Sequence, residues 1–128
     1  MERTPFQKEY PLKNVSRTAL WRLISMPGGL TEWFCDKVTV EQDFYTFTWN
    51  GNQQTAKLIT KRQDESIKFQ WEEDKGTKHF FEMSIAKLEL TGMVELIVKD
   101  VADTDDVDDS IVLWDSLIDR LKRKLGLN

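Results

Sequence analysis

The chain has 128 residues, of which 40% are hydrophobic and 31% charged, a composition typical of one soluble domain with a sizeable core. A net charge of −4, without a basic stripe of interleaved aromatic residues, argues against a nucleic-acid partner. No apolar run reaches the ~18 residues that a membrane span needs, and the N-terminus lacks an apolar signal segment. The single cysteine excludes an internal disulfide, so we expect a cytoplasmic protein. The length predicts a single domain over residues 1–128.

The N-terminal third of the sequence predicts a strand and two short helices. Residues 6–13 alternate in polarity, and Pro11 within them favours an edge position or a bulge. Ser16 is a good N-cap for a helix that runs to about residue 25. The run Pro27-Gly28-Gly29 ends that helix, and residues 30–34 predict a second short one.

Strands dominate the middle of the chain. Asn50-Gly51 is a strong hairpin turn, and Ile67, Phe69 and Trp71 alternate with polar residues as in a half-buried strand. Further turns are indicated near residue 43, at 74–76 and at 91–92. The predicted strands cover residues 37–42, 44–50, 54–62, 67–72, 81–85 and 94–98.

Residues 103–125 predict one long helix. Five acids lie between positions 103 and 109 and four bases between 120 and 124, which matches the helix macrodipole at both ends. Apolar residues recur at steps of four and three and form one stripe: Val107, Ile111, Trp114, Ile118, Leu121 and Leu125.

This order of elements predicts an α+β fold with a curved antiparallel sheet of about seven strands. Such a sheet coils, and one of its faces must be covered. A helix of roughly 20 residues, ~30 Å long, can cross the concave face. We therefore expect a cavity between the long helix and the sheet.

Three segments resemble a known family. They are MPGGLTEWF at 26–34, similar to the family's P-x-x-L-x-x-W turn, FYTFTW at 44–49, and IKFQWE at 67–72, with Trp114 as a further match. The chain resembles the START-like superfamily, also called SRPBCC, Bet v 1-like or helix-grip proteins. Within it, the sequence is similar to the branch of the activator-of-Hsp90-ATPase (AHSA1) C-terminal domain, and most like small bacterial START-like proteins of Bacteroidetes type.

The resemblance implies a helix-grip fold with a deep cavity under the long helix. Superfamily members hold lipids, sterols, polyketides or plant hormones there, and a few catalyse reactions such as aromatic cyclisation. The eukaryotic Hsp90 activator instead binds a chaperone, but it carries a separate N-terminal domain that this sequence does not include, which argues against the same role.

Several aromatic residues are candidates for lining the cavity. A mostly apolar pocket with a few polar groups is typical of a small-molecule site, but the same residues could form a closed aromatic core. The short helices at 27–34 would gate the mouth. The candidate ligand-binding residues are Trp33, Phe47, Trp49, Phe69, Trp71, Phe81, Met83 and Trp114.

No residue pattern indicates a metal, a cofactor or a catalytic group. His79 is the sole histidine and lacks partners at ligand spacing. Cys35 has no base beside it in the sequence and is expected to pack as a small hydrophobe. The acids at 105–109 lack the glycine and terminal glutamate of a calcium loop and fit a helix start better.

Three functions are therefore open, in order of support. The first is binding of a hydrophobic, lipid-like small molecule under the helix. The second is a protein-interaction or co-chaperone-like role in a monomer or weak homodimer, with Val112 and Leu113 expected to be exposed on the helix. The third is an enzyme of the cyclase or hydrolase type, for which the sequence offers no convincing acid–base pair.

Overall fold

A computed structural model describes residues 2–127 of the chain. In these residues β1 (Arg3–Pro11) leads into α1 (Arg17–Ser25) and α2 (Pro27–Leu30). Six strands follow, and the long helix α3 (Val107–Lys124) comes last. The strands are β2 (Lys37–Glu41), β3 (Phe44–Trp49), β4 (Asn52–Arg62), β5 (Ser66–Trp71), β6 (Phe81–Lys87) and β7 (Val94–Asp103). This confirms the predicted helix-grip arrangement.

All seven strands form one antiparallel sheet in the order β1-β7-β6-β5-β4-β3-β2. Strands β2 to β7 form a meander, and the N-terminal strand β1 pairs along the whole of β7. Side chains alternate between the two faces, so each strand sends every second residue toward the core. In β6, for example, Phe81, Met83 and Ile85 are buried and the residues between them are half-buried.

Helix α3 packs against the sheet along the predicted stripe. Trp114, Ile118 and Leu121 are buried in the core, while Val112 and Leu113 are 65% and 61% exposed, as expected. The helix is also tied to β1, because the Tyr10 hydroxyl donates to Asp115 Oδ1 at 2.7 Å. A 3-10 turn over Thr104–Asp106 precedes α3, so the α-helix begins four residues later than predicted.

The second short helix is present as predicted, but its predicted position, residues 30–34, was wrong. The helix lies at Pro27–Leu30, and residues 31–34 form turns. Proline is well placed at a first helical position, since its missing N–H would have no partner there. Gly29 then allows close packing on α1, because a Cβ atom at this position would lie 2.1 Å from the Arg22 carbonyl oxygen. The Pro-Gly-Gly run therefore starts a helix as well as ending one.

The last strand is longer than predicted. β7 runs to Asp103 instead of ending near residue 98, because it pairs with the whole of β1. This extension brings Asp100 under the long helix.

Candidate ligand-binding site

Aromatic rings from strands, loop and helix meet at one end of the concave face. Phe34, just after the α2 turn, lies 5.4 Å from Trp49 and 5.9 Å from Trp114 between ring centroids. Trp71 lies 5.0 Å from Phe81 and 6.2 Å from Trp49. Such tilted, edge and stacked contacts are favourable aromatic geometries. Three strands, the α2 turn and helix α3 thus contribute to one aromatic cluster.

The backbone around Phe34 fixes two of these rings. The Phe34 N–H donates to the Leu30 carbonyl at 2.8 Å, and the Phe34 carbonyl accepts from Trp49 Nε1 at 2.6 Å. The neighbouring Trp33 is anchored separately, since its Nε1 donates to the Leu23 carbonyl at 2.7 Å. Because their N–H groups are satisfied, the indoles of Trp33 and Trp49 are held in fixed orientations.

A cavity of about 510 Å³ opens beside this cluster, between α3 and the ends of β3 and β5. Its volume is in the range of small-molecule pockets, ~300–1,000 Å³. Six of its twelve lining residues are aromatic or aliphatic, and the other six are polar or charged. The lining residues are Phe34, Asp36, Trp49, Asn50, Gln54, Trp71, Asp100, Leu113, Trp114, Ser116, Leu117 and Arg120.

Asp100 is the half-buried acid of this cavity. Its Oδ2 accepts from Trp114 Nε1 at 2.9 Å, and its Oδ1 accepts from the Val101 N–H at 2.7 Å. Burial raises the pKa of Asp100, and the two N–H donors partly oppose that shift by stabilising the carboxylate. The carboxyl group therefore forms a fixed polar point at the edge of an aromatic wall.

The mouth of the cavity carries charges of both signs. Asp36 is exposed and accepts from the Asn50 N–H at 2.8 Å through Oδ2. Arg120 lies on the exposed side of α3, next to the apolar pair Leu113 and Leu117. A ligand in this cavity would thus meet apolar surface inside and ionic groups at the rim.

The eight predicted ligand-binding residues fall into two groups. Trp49, Trp71 and Trp114 line the cavity. The other five are buried in the core beneath or beside it and do not line it: Trp33, Phe47, Phe69, Phe81 and Met83. Most of the space under α3 is filled by these side chains, and the cavity is confined to one end.

Two important residues of the site were not among the candidates. Phe34 belongs to the 26–34 motif but was expected to lie in a helix. Asp100 continues the alternation of Val94, Leu96 and Val98, so a longer predicted strand would have placed it on the inward face. The sequence signal that could have identified Asp100 was an acidic residue at the next inward position after three apolar ones.

The other reactive residues do not line the cavity. Cys35 is buried, its Sγ donates to the Leu30 carbonyl at 3.8 Å, and burial raises the pKa of its thiol to about 11. His79 is half-buried beside the start of β6 and does not line the cavity. Across residues 2–127, no cluster of three or more His, Cys, Asp or Glu side chains is placed to hold a metal ion. No helix in this part of the chain is long and apolar enough to cross a membrane.

Fold and cavity together define a helix-grip domain, and comparison with known proteins identifies its family. The family model described as the START-like superfamily domain matches residues 1–127, so the chain belongs to the START-like superfamily. No curated protein matches the chain.

Solved structures with the same fold include a Bacteroides fragilis protein at 35% identity and a TM-score of 0.69, aligned over 97% of this chain and 92% of that one. The Aha1 dimer from Colwellia psychrerythraea is 12% identical, with a TM-score of 0.74 and coverage of 98% and 96%. The protein SSP2350 from Staphylococcus saprophyticus is 14% identical, with a TM-score of 0.71 and coverage of 98% and 95%.

Proposed function

We propose that this protein binds a hydrophobic, lipid-like small molecule in the cavity between α3 and the sheet. The observation that carries the proposal is a cavity of about 510 Å³ whose wall contains Trp49, Trp71 and Trp114. Flat aromatic walls favour a ligand with a flat or extended apolar body. The volume suits a compact ligand, such as a medium-length acyl chain or a few fused rings.

Asp100 gives the site a polar contact of defined position. Both of its oxygens already accept from N–H groups, which fixes the carboxyl orientation. A ligand hydroxyl or amine placed against this group would gain a hydrogen bond beside the tryptophans of the cavity wall. The ligand class proposed is therefore an apolar body with one polar end.

The test combines a co-purification experiment with titrations. Native mass spectrometry of protein purified from its own host should detect a small-molecule adduct. Dodecan-1-ol and estradiol, each an apolar body with a hydroxyl end, serve as an extended and a fused-ring probe. Their binding is measured by tryptophan fluorescence and isothermal titration calorimetry. At least one probe should change the fluorescence, because tryptophans form the cavity wall.

Two neighbouring exposed residues of α3 provide a matched pair of variants. Leu113 lines the cavity, whereas Val112 does not, and the two are 61% and 65% exposed. Leu113→Arg should weaken probe binding roughly tenfold by replacing an apolar lining residue of the cavity with a charged one, and Val112→Arg should leave it unchanged. No adduct together with no response to either probe, or equal losses in the two variants, would refute the proposed site.

A further inference from the structure

Strand β2 leaves one edge of the sheet open. It is the terminal strand in the order of the sheet, and within residues 2–127 it pairs only with β3. Four of its five residues are exposed, and Val40 is an exposed apolar residue at 41%. An open edge presents unpaired backbone N–H and C=O groups that can pair with another strand.

The geometry of the hairpin shows which backbone groups are free. A two-residue loop, Gln42 and Asp43, joins β2 to β3, so the flanking residues Glu41 and Phe44 form the closing pair. In such a hairpin the closing pair exchanges both hydrogen bonds, and every second pair does the same. Lys37, Thr39 and Glu41 therefore turn their backbone groups toward β3. Val38 and Val40 turn theirs toward the open edge.

The sequence of β2 is Lys37-Val38-Thr39-Val40-Glu41. Two copies that run antiparallel therefore place opposite charges and like apolar residues across from each other. An antiparallel pairing centred on Thr39 places Lys37 opposite the partner's Glu41, and Val38 opposite the partner's Val40. The two valines lie on the same face of the strand, the concave one, because Val38 and Val40 are opposite the buried Phe47 and Tyr45 in the register. Lys37 and Glu41 lie on the other face.

Hydrogen-bond pairing and charge pairing require the same register. With Thr39 at the centre, each Val38 meets the partner's Val40 as a pair that exchanges both backbone bonds, which uses the free groups of both residues. The same register gives two Lys–Glu contacts, and cross-strand pairs of opposite charge are stabilising. It also covers the exposed side chain of Val40.

The opposite edge of the sheet is less suited to pairing. β1 contains Pro5 and Pro11, and proline interrupts a hydrogen-bonding edge. β2 contains no proline.

We propose that two copies of this chain associate through β2, edge to edge about a two-fold axis at Thr39, to form one continuous sheet. The axis stands perpendicular to the sheet, so both cavities open on the same face of the dimer. A five-residue edge buries less than the ~1,000 Å² expected of a stable interface. The dimer should therefore form only at high protein concentration.

Charge exchange tests the register. Among residues 2–127 neither Lys37 nor Glu41 forms a salt bridge, so exchanging their charges should leave the fold intact. Lys37→Glu alone, or Glu41→Lys alone, makes both cross-strand contacts repulsive and should raise the dissociation constant roughly tenfold or more. A mixture of the two single variants makes both contacts attractive again and should form heterodimers. The double variant should regain homodimers.

Sedimentation equilibrium over a concentration series up to millimolar protein measures each association. Lys61→Glu and Glu89→Lys change the net charge equally but lie away from β2, and they should associate like the wild-type protein. Val40→Pro removes a free N–H without breaking a bond to β3 and should abolish the dimer while circular dichroism stays unchanged. A wild-type protein that is monomeric throughout would overturn the proposal. So would single variants that fail to recover on mixing, or a Val40→Pro variant that still dimerises.

Discussion

The hydrogen bond between Trp114 and Asp100 joins the long helix to β7 at the cavity, and its removal tests the physical description of the site. Trp114→Phe keeps an aromatic ring against Phe34 and Phe81 but removes the N–H that donates to Asp100 Oδ2 at 2.9 Å. Asp100 then keeps only its bond from the Val101 N–H.

The magnitude follows from two contributions. A hydrogen bond to a charged group contributes about 1.5–3 kcal/mol. Replacing indole by phenyl in a buried site costs on the order of 1 kcal/mol more through lost packing. Trp114→Phe should therefore lower the free energy of unfolding by about 3 kcal/mol at neutral pH. Asp100→Asn keeps one side-chain oxygen as an acceptor for Trp114 but places its NH₂ group against the Val101 N–H, so it also loses one hydrogen bond.

The pH dependence separates the hydrogen bond from the packing. Because burial raises the pKa of Asp100, the folded protein holds this proton more tightly than the unfolded chain. Stability contributed by the protonated form is therefore present at low pH and is lost as pH rises through the raised pKa. The Trp114 N–H lowers that pKa, so its removal raises the pKa further. The destabilisation by Trp114→Phe should grow from about pH 4 to about pH 7.

Urea unfolding of the wild-type protein, Trp114→Phe, Asp100→Asn and the double variant measures these effects at both pH values. The double-mutant cycle should give a coupling free energy of about 1–2 kcal/mol at neutral pH and less in acid. A coupling near zero at neutral pH, or a destabilisation by Trp114→Phe that does not change with pH, would show that the Trp114–Asp100 hydrogen bond does not stabilise the fold.

Two further predictions concern the helices and the thiol. Gly29→Ala should destabilise the protein by about 2–3 kcal/mol, because the added Cβ would lie 2.1 Å from the Arg22 carbonyl oxygen. Gly28→Ala has open space and should be neutral or stabilising by up to about 1 kcal/mol, so equal thermal shifts in both variants would contradict this packing. Cys35, with its thiol pKa raised to about 11 by burial, should not react with Ellman's reagent at neutral pH until the protein is unfolded in urea. Rapid labelling of the folded protein would contradict that expectation.

Most of the fold could be predicted from the periodicity of the apolar residues. Alternation in β5, β6 and β7 and the stripe of α3 each place a side chain on a definite face, so the order and type of the major elements could be predicted from the sequence. The position of the second helix could not, because Pro-Gly-Gly can either end a helix or begin one. Which of these occurs depends on the contact of Gly29 with α1, and that contact is tertiary.

The cavity was only partly predictable for a related reason. Alternation indicates that Phe69 and Trp71 face the same way, but it does not show how much space lies beyond each ring. That depends on position along the helix: Phe69 lies where the core is filled, while Trp71 lies near the open end. Asp100 was missed because pairing with β1 extends β7 beyond the segment of clear alternation.

The division of the aromatic residues between core and cavity has a consequence for binding. Phe47, Phe69 and Phe81 are buried and fill most of the space under α3, so a change in any of them would disturb the whole core. Trp49 and Trp71 are only half-buried and line the cavity at the open end. Under the proposed function, substitutions at the rim would change the ligand preference and leave the buried core intact.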